Sequence, residues 1–130
     1  MNKTKILIVD DEMEFATTLN ERLNLRNFDS KAVCGAEKAI AVIETGWVPD
    51  VVLLDLKMPG LDGLDTLDLI KQHEPSIEVI IVTGHGSTSS GIEGMQKGLF
   101  DYLMKPVDIG DLVKKINEAV KKKVDAINGG

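Results

Sequence analysis

The chain has 130 residues, with 15 Lys and Arg against 21 Asp and Glu, a net charge of −6 and a hydrophobic content of 43%. That length suits one domain that buries a core without metal or disulfide staples, and the hydrophobic content excludes a disordered chain. The acidic balance argues against a general nucleic-acid binder, because such a surface repels phosphates.

Short β-branched runs alternate five times with stretches of helical periodicity. Lys5 to Asp10 (KILIVD) is apolar on both faces, as a buried parallel strand requires. Phe15, Ala16, Leu19 and Leu23 then mark an amphipathic helix over about 12–26. Ser30 to Cys34 is a weaker strand, followed by a helix from Ala36 to Thr45 that Gly46 closes. Val51 to Asp55 is the third strand, and Leu64, Leu67 and Ile70 define a helix ending before Pro75. Glu78 to Thr83 (EVIIVT) leads through a glycine-rich segment into a helix reaching about Lys97. Phe100 to Met104 is the fifth strand, and Ile109, Leu112, Val113, Ile116 and Val120 define the last helix. This alternation predicts an α/β fold: a single doubly wound (βα)5 flavodoxin-like domain with a five-stranded parallel sheet and helices on both faces. The domain occupies 1–130, with its core over about 5–124 and a tail over 125–130.

The lone cysteine, Cys34, reads as a small buried residue and excludes an internal disulfide, which points to a reducing compartment. The apolar run before Asp10 is too short for a signal peptide or a membrane span, so the expectation is a soluble cytoplasmic protein without membrane contact. Lys114, Lys115 and Lys121 to Lys123 read as a solvated helix face and C-terminus. Trp47 reads as a packing residue.

In doubly wound sheets, ligands bind beyond the carboxyl ends of the strands. Asp10, Asp11, Asp55 and Thr83 end strands there, and Lys105 follows the fifth strand. With the order 2-1-3-4-5 these side chains converge on one rim. Carboxylates at 4 Å repel by roughly 4 kcal/mol per pair at an effective dielectric near 20, so positive charge must compensate. Lys105 supplies one charge and a hard oxygen-bound cation supplies the rest; Mg²⁺ suits a site with few protein ligands, with Mn²⁺ as a substitute. No His or Cys spacing favours zinc. Such a constellation can accept a phosphoryl group, with Asp55 as nucleophile, Asp10 and Asp11 on the metal, and Lys105 and Thr83 on the phosphoryl oxygens.

The segments IVDDE (Ile8 to Glu12), LLDLKMPGLDGL (Leu53 to Leu64), VTGHGS (Val82 to Ser87) and FDYLMKP (Phe100 to Pro106) stand in this order along nearly the whole chain. In them the chain resembles a two-component response regulator receiver domain, most of all receivers of nitrogen-regulatory-type regulators, which precede an ATPase and a DNA-binding domain. The resemblance implies that Asp55 is phosphorylated by a sensor histidine kinase and that Asp10, Asp11, Asp55 and the Lys57 backbone carbonyl hold the metal. It implies that Thr83, Lys105 and Tyr102 are phosphate-binding or switch residues, that Gly84, His85 and Met58 border the site, and that the Lys105–Pro106 peptide is cis. A downstream output domain or partner protein would then read helix four, strand five and helix five, the domain being a monomer or a dimer when phosphorylated. The chain would be a stand-alone regulator or a receiver cut from a longer one at Gly129-Gly130.

Gly84, Gly86, Gly91, Gly94 and Gly98 make the fourth helix the softest in the domain, with Ser87 or Ser90 as its cap. Three other readings stand beside this one. A small aspartyl-nucleophile phosphatase needs an acid where Lys57 stands, and a flavodoxin-like cofactor binder needs a phosphate-cradling glycine loop after strand one; a degenerate receiver would serve as an interaction module without phosphorylation.

Overall fold

A computed structural model describes residues 3–56, 63–84 and 88–128. Ten elements alternate along it: β1 (Lys5–Val9), α1 (Met13–Leu25), β2 (Asp29–Val33), α2 (Ala36–Glu44), β3 (Val51–Leu54), α3 (Gly63–His73), β4 (Glu78–Thr83), α4 (Thr88–Gln96), β5 (Asp101–Met104) and α5 (Ile109–Asn128). The five strands form one parallel sheet in the order β2-β1-β3-β4-β5, as expected.

Strand side chains alternate between the two faces of the sheet. Leu7, Val9, Val52, Leu54, Val79 and Ile81 point toward Ala39 and Ile43 of α2 and Leu67 and Ile70 of α3. Ile6, Ile8, Val51, Leu53, Ile80 and Val82 point toward Ala16, Leu19 and Leu23 of α1 and Leu112, Ile116 and Ala119 of α5. Both faces are therefore covered, which explains why these strands are apolar throughout. Trp47 packs at the border of the α2/α3 face with the Lys31 ammonium 4.6 Å from its ring centroid.

Several local expectations change. Residues 125–128 continue α5 to Asn128 instead of forming a tail, because no Gly or Pro follows Gly110 until Gly129. Ser90 lies inside α4, which begins at Thr88, so it does not cap the helix; Ser87 is outside the described residues. Cys34 is half-buried just past β2. The basic residues of α5 are not all solvated: Lys115 pairs with Asp101 at 2.8 Å, Lys122 with Glu78 at 3.5 Å and Lys123 with Asp50 at 2.9 Å. Gly94 has a packing reason besides its softness, since a Cβ there would lie 2.9 Å from Leu99 Cδ2, so it lets α4 ride close to the sheet.

Candidate functional site

The sheet ladder runs one step past the strand ends and fixes the rim of the site. Asp10 N–H donates to Val33 at 3.1 Å, Asp55 N–H to Val9 at 3.0 Å and Lys105 N–H to Thr83 at 2.9 Å. Two-residue alternation then sorts the side chains. Asp10 follows Ile8 and Asp55 follows Leu53 on the α1/α5 face; Thr83 follows Ile81 on the opposite face, where Tyr102 also packs.

Asp10, Asp11 and Asp55 bring carboxylate oxygens within 4.8 Å of one another. Asp10 and Asp55 are each 2% exposed, whereas Asp11 faces solvent. Lys105 Nζ lies 2.8 Å from Asp10 Oδ2, 2.6 Å from Glu12 Oε1 and 3.9 Å from Asp55 Oδ2. Asp10 Oδ1 accepts the Glu12 N–H at 2.9 Å. Asp55 Oδ1 is buried without a hydrogen-bond partner among the described residues. A buried carboxylate oxygen so placed costs free energy unless a donor or a cation meets it.

Burial raises the Asp10 carboxyl above its ordinary value; the bonds from Lys105 and the Glu12 amide oppose that rise, and the Asp55 charge adds to it. Burial also works against the charge on Lys105, but its bonds to Asp10 and Glu12 and the attraction of Asp10 and Asp55 outweigh it, so the ammonium titrates above its ordinary value. The one contact thus favours charge on both partners, and only for Asp10 does desolvation win.

Gly63 determines where Asp55 can sit. Its N–H donates to the Leu56 carbonyl at 2.7 Å, and a Cβ there would lie 2.5 Å from Leu56 Cα and 2.6 Å from the Asp55 carbonyl oxygen. Any side chain would displace the segment carrying Asp55.

Thr83 is fully buried. The Tyr102 hydroxyl is also buried, without a hydrogen-bond partner among the described residues, and a Cβ on Gly91 would lie 3.7 Å from its ring. The ring therefore lies under α4 on the Thr83 side of the sheet. Gly84 has open space where a Cβ would project, the Lys105–Pro106 peptide is cis, and Lys57, Met58 and His85 fall outside the described residues.

The model of the response regulator receiver domain family matches residues 6–117. The chain belongs to the response regulator receiver family. It is 36% identical over 122 residues to sporulation initiation phosphotransferase F of Bacillus subtilis, covering 94% of each chain. It is 35% identical over 113 residues to the DNA-binding transcriptional regulator NtrC of Klebsiella pneumoniae, covering 87% of this chain but 24% of the regulator. The chain thus spans about a quarter of the length of the NtrC regulators it matches. Among solved structures, a CheY-like receiver domain from Methanospirillum hungatei superimposes with a TM-score of 0.91 at 27% identity, covering 96% of this chain and 99% of that one.

The protein is a phosphoacceptor domain of two-component response regulators, most like the NtrC type, and the phosphatase and degenerate-receiver readings are not favoured. Receivers bind Mg²⁺ in an acidic pocket, and this donor set fits a hard divalent cation: three carboxylates within 4.8 Å, one oxygen of them buried and without a partner among the described residues. No helix among the described residues is long and apolar enough to cross a membrane.

Two residues around Lys105 escaped the sequence reading. Glu12 stands in the IVDDE segment but carries no spacing signal for a lysine 93 positions away. Phe15 reads from sequence only as a core-facing helix position, yet its ring centroid lies 4.3 Å from the Lys105 ammonium.

Proposed function

We propose that Asp55 is the phosphoacceptor of this receiver, which works in the cytoplasm, and that the phosphoryl group comes from the phosphohistidine of a sensor histidine kinase. The observation that carries this reading is the buried Asp55 Oδ1, which among the described residues has no hydrogen-bond partner and lies in a cluster of three carboxylates beside Lys105. An Asp55 oxygen attacks phosphorus as the bond to the donor imidazole breaks, and that imidazole leaves with a proton. Asp10 and Asp11 with Asp55, and the Lys57 carbonyl with them, hold Mg²⁺ or Mn²⁺, which neutralises charge on the transferring group. Lys105 and the Thr83 hydroxyl bind the acquired oxygens. Gly84 leaves room for the water that later removes the phosphoryl group, and His85 and Met58 border its path.

The switch pairs Thr83 with Tyr102. Movement of the Thr83 hydroxyl toward the phosphoryl group changes the space for the Tyr102 ring beneath α4, and α4 reorders with β5. Ile92 and Met95, each 57% exposed, and Met104, 50% exposed, offer apolar contacts on that surface to an output domain, a partner protein or a second copy.

Incubation with acetyl phosphate and Mg²⁺ followed by intact mass tests the reading. One phosphoryl adduct is expected on the wild type and none on Asp55→Asn; an unmodified wild type overturns it.

A further inference from the structure

Lys105 is held by more than the acids of the site. Its ammonium has three N–H donors and no acceptor, and bonds of 2.8 Å to Asp10 and 2.6 Å to Glu12 occupy two of them. The Phe15 ring, its centroid 4.3 Å from Nζ, presents the negative face of its quadrupole to the cation. Asp55 Oδ2 is farther than either carboxylate, at 3.9 Å. Glu12 immediately precedes α1 and Phe15 lies in its first turn.

We propose that Glu12 and Phe15 form a resting seat for the Lys105 ammonium, and that as positioning residues they set how readily it turns to a phosphoryl group on Asp55. The inference rests on the reading of Asp55 as phosphoacceptor. A phosphoryl group brings up to about two negative charges and three acceptor oxygens. Lys105 follows them only by giving up its bond to Glu12 and its place over the ring. Asp10 does not discriminate between the two positions, because it adjoins both Lys105 and Asp55.

The seat is weak and open. The Glu12 side chain is 57% exposed, and Phe15 is half-buried. Both line an open cavity of about 670 Å³ with Val107 and Ile109, so these two side chains can shift without unpacking the core. The Lys105 side chain is 11% exposed while Glu12 is open to solvent, so each contact corresponds to at least about a two- to fivefold bias, enough to tune an equilibrium without blocking it.

The test uses the full chain as wild type, Phe15→Leu, Phe15→Tyr and Glu12→Gln, in two measurements. In proton–carbon NMR the Lys105 ε-methylene should be shifted upfield by the ring in the wild type and Phe15→Tyr, but not in Phe15→Leu. The wild-type signal should move toward the ordinary position on adding beryllofluoride and Mg²⁺. In a beryllofluoride titration at fixed Mg²⁺, Phe15→Leu and Glu12→Gln should each saturate at about two- to fivefold lower concentration, with Phe15→Tyr unchanged. Glu12 is exposed, so Glu12→Gln tests the seat even if the ring substitution unfolds the domain. An ordinary methylene shift in the wild type, or unchanged or raised midpoints in a protein that acetyl phosphate does label, overturns the seat alone. A wild type that takes neither acetyl phosphate label nor beryllofluoride overturns the phosphoacceptor reading, and the seat with it.

Discussion

At the N-terminal edge of the sheet, Asp50 and Glu78 each face a lysine of α5, Lys123 at 2.9 Å and Lys122 at 3.5 Å. Asp50 also accepts the Lys5 N–H at 2.9 Å. At the C-terminal edge, among the described residues, Asp10 and Asp55 share Lys105 with Glu12, and Asp11 adds a third carboxylate to the cluster. One end balances its acids within the chain and so fastens α5 to the residue before β3 and to the first residue of β4. The other gathers more negative charge than it neutralises, which destabilises the fold locally and leaves attraction for a cation. A region that sacrifices stability in this way is where function is expected.

The largest expected effect comes from removing the shared cation. Lys105→Met should slow labelling by acetyl phosphate by about 10²- to 10³-fold, the usual loss when a preorganised donor to a developing charge is removed, as intact-mass time courses would report. An unchanged rate would show that the C-terminal edge does not depend on its lysine.

The same chemical change should have opposite signs at the two ends. Asp10→Asn removes a carboxylate whose charge burial disfavours, so without divalent cation it should stabilise the domain and abolish any rise in melting temperature on adding Mg²⁺. Asp50→Asn should instead destabilise by up to about 1 kcal/mol, since it weakens a partly exposed pair and a backbone cap. Denaturant unfolding of both variants checks the comparison, and equal signs would break it.

The pH dependence of stability sharpens this point. Because folding raises the Asp10 carboxyl, the folded state binds its proton more tightly. Its contribution therefore declines as pH rises from the ordinary 3.8 through the raised value, and is constant above it. Lys105, also raised, contributes stability that is complete below 10.5 and lost as pH climbs through its higher value. Asp10→Asn should remove the first decline in pH-resolved denaturant melts and lower the value through which Lys105 titrates, since Asp10 helps to raise it.

The smallest effect is expected from Lys123→Met, at most about 1 kcal/mol, with no change in acetyl phosphate labelling. A clear loss of labelling would mean that the two ends of the sheet are coupled through α5.

Much of this arrangement is legible in the chain itself. Alternating β-branched and helical periods specify five βα units, and the rule that ligands gather beyond the strand ends draws attention to Asp10, Asp11, Asp55, Thr83 and Lys105. Local periodicity and chain-end rules depend on neighbours within a few residues, so a sequence displays them. What surrounds Lys105 was not legible, because Glu12 and Phe15 reach it from the start of α1, far away in the chain, and no spacing encodes that contact. The half-burial of Cys34, the ion pairs that hold α5 and the run of that helix to Asn128 likewise lay outside the sequence reading.

The sequence by itself determined the five alternating βα units, the acids at the strand ends and the class of chemistry, since periodicity and residue type are local properties, whereas the strand order rests on pairing between distant segments. Only the tertiary structure decided which acids are paired and which are left for a cation, because that depends on distances between side chains far apart in the chain. The same holds for the two glycines of α4: their low helix propensity can be read locally, but that Gly94 lies against Leu99 and Gly91 over the Tyr102 ring is a property of the packed molecule.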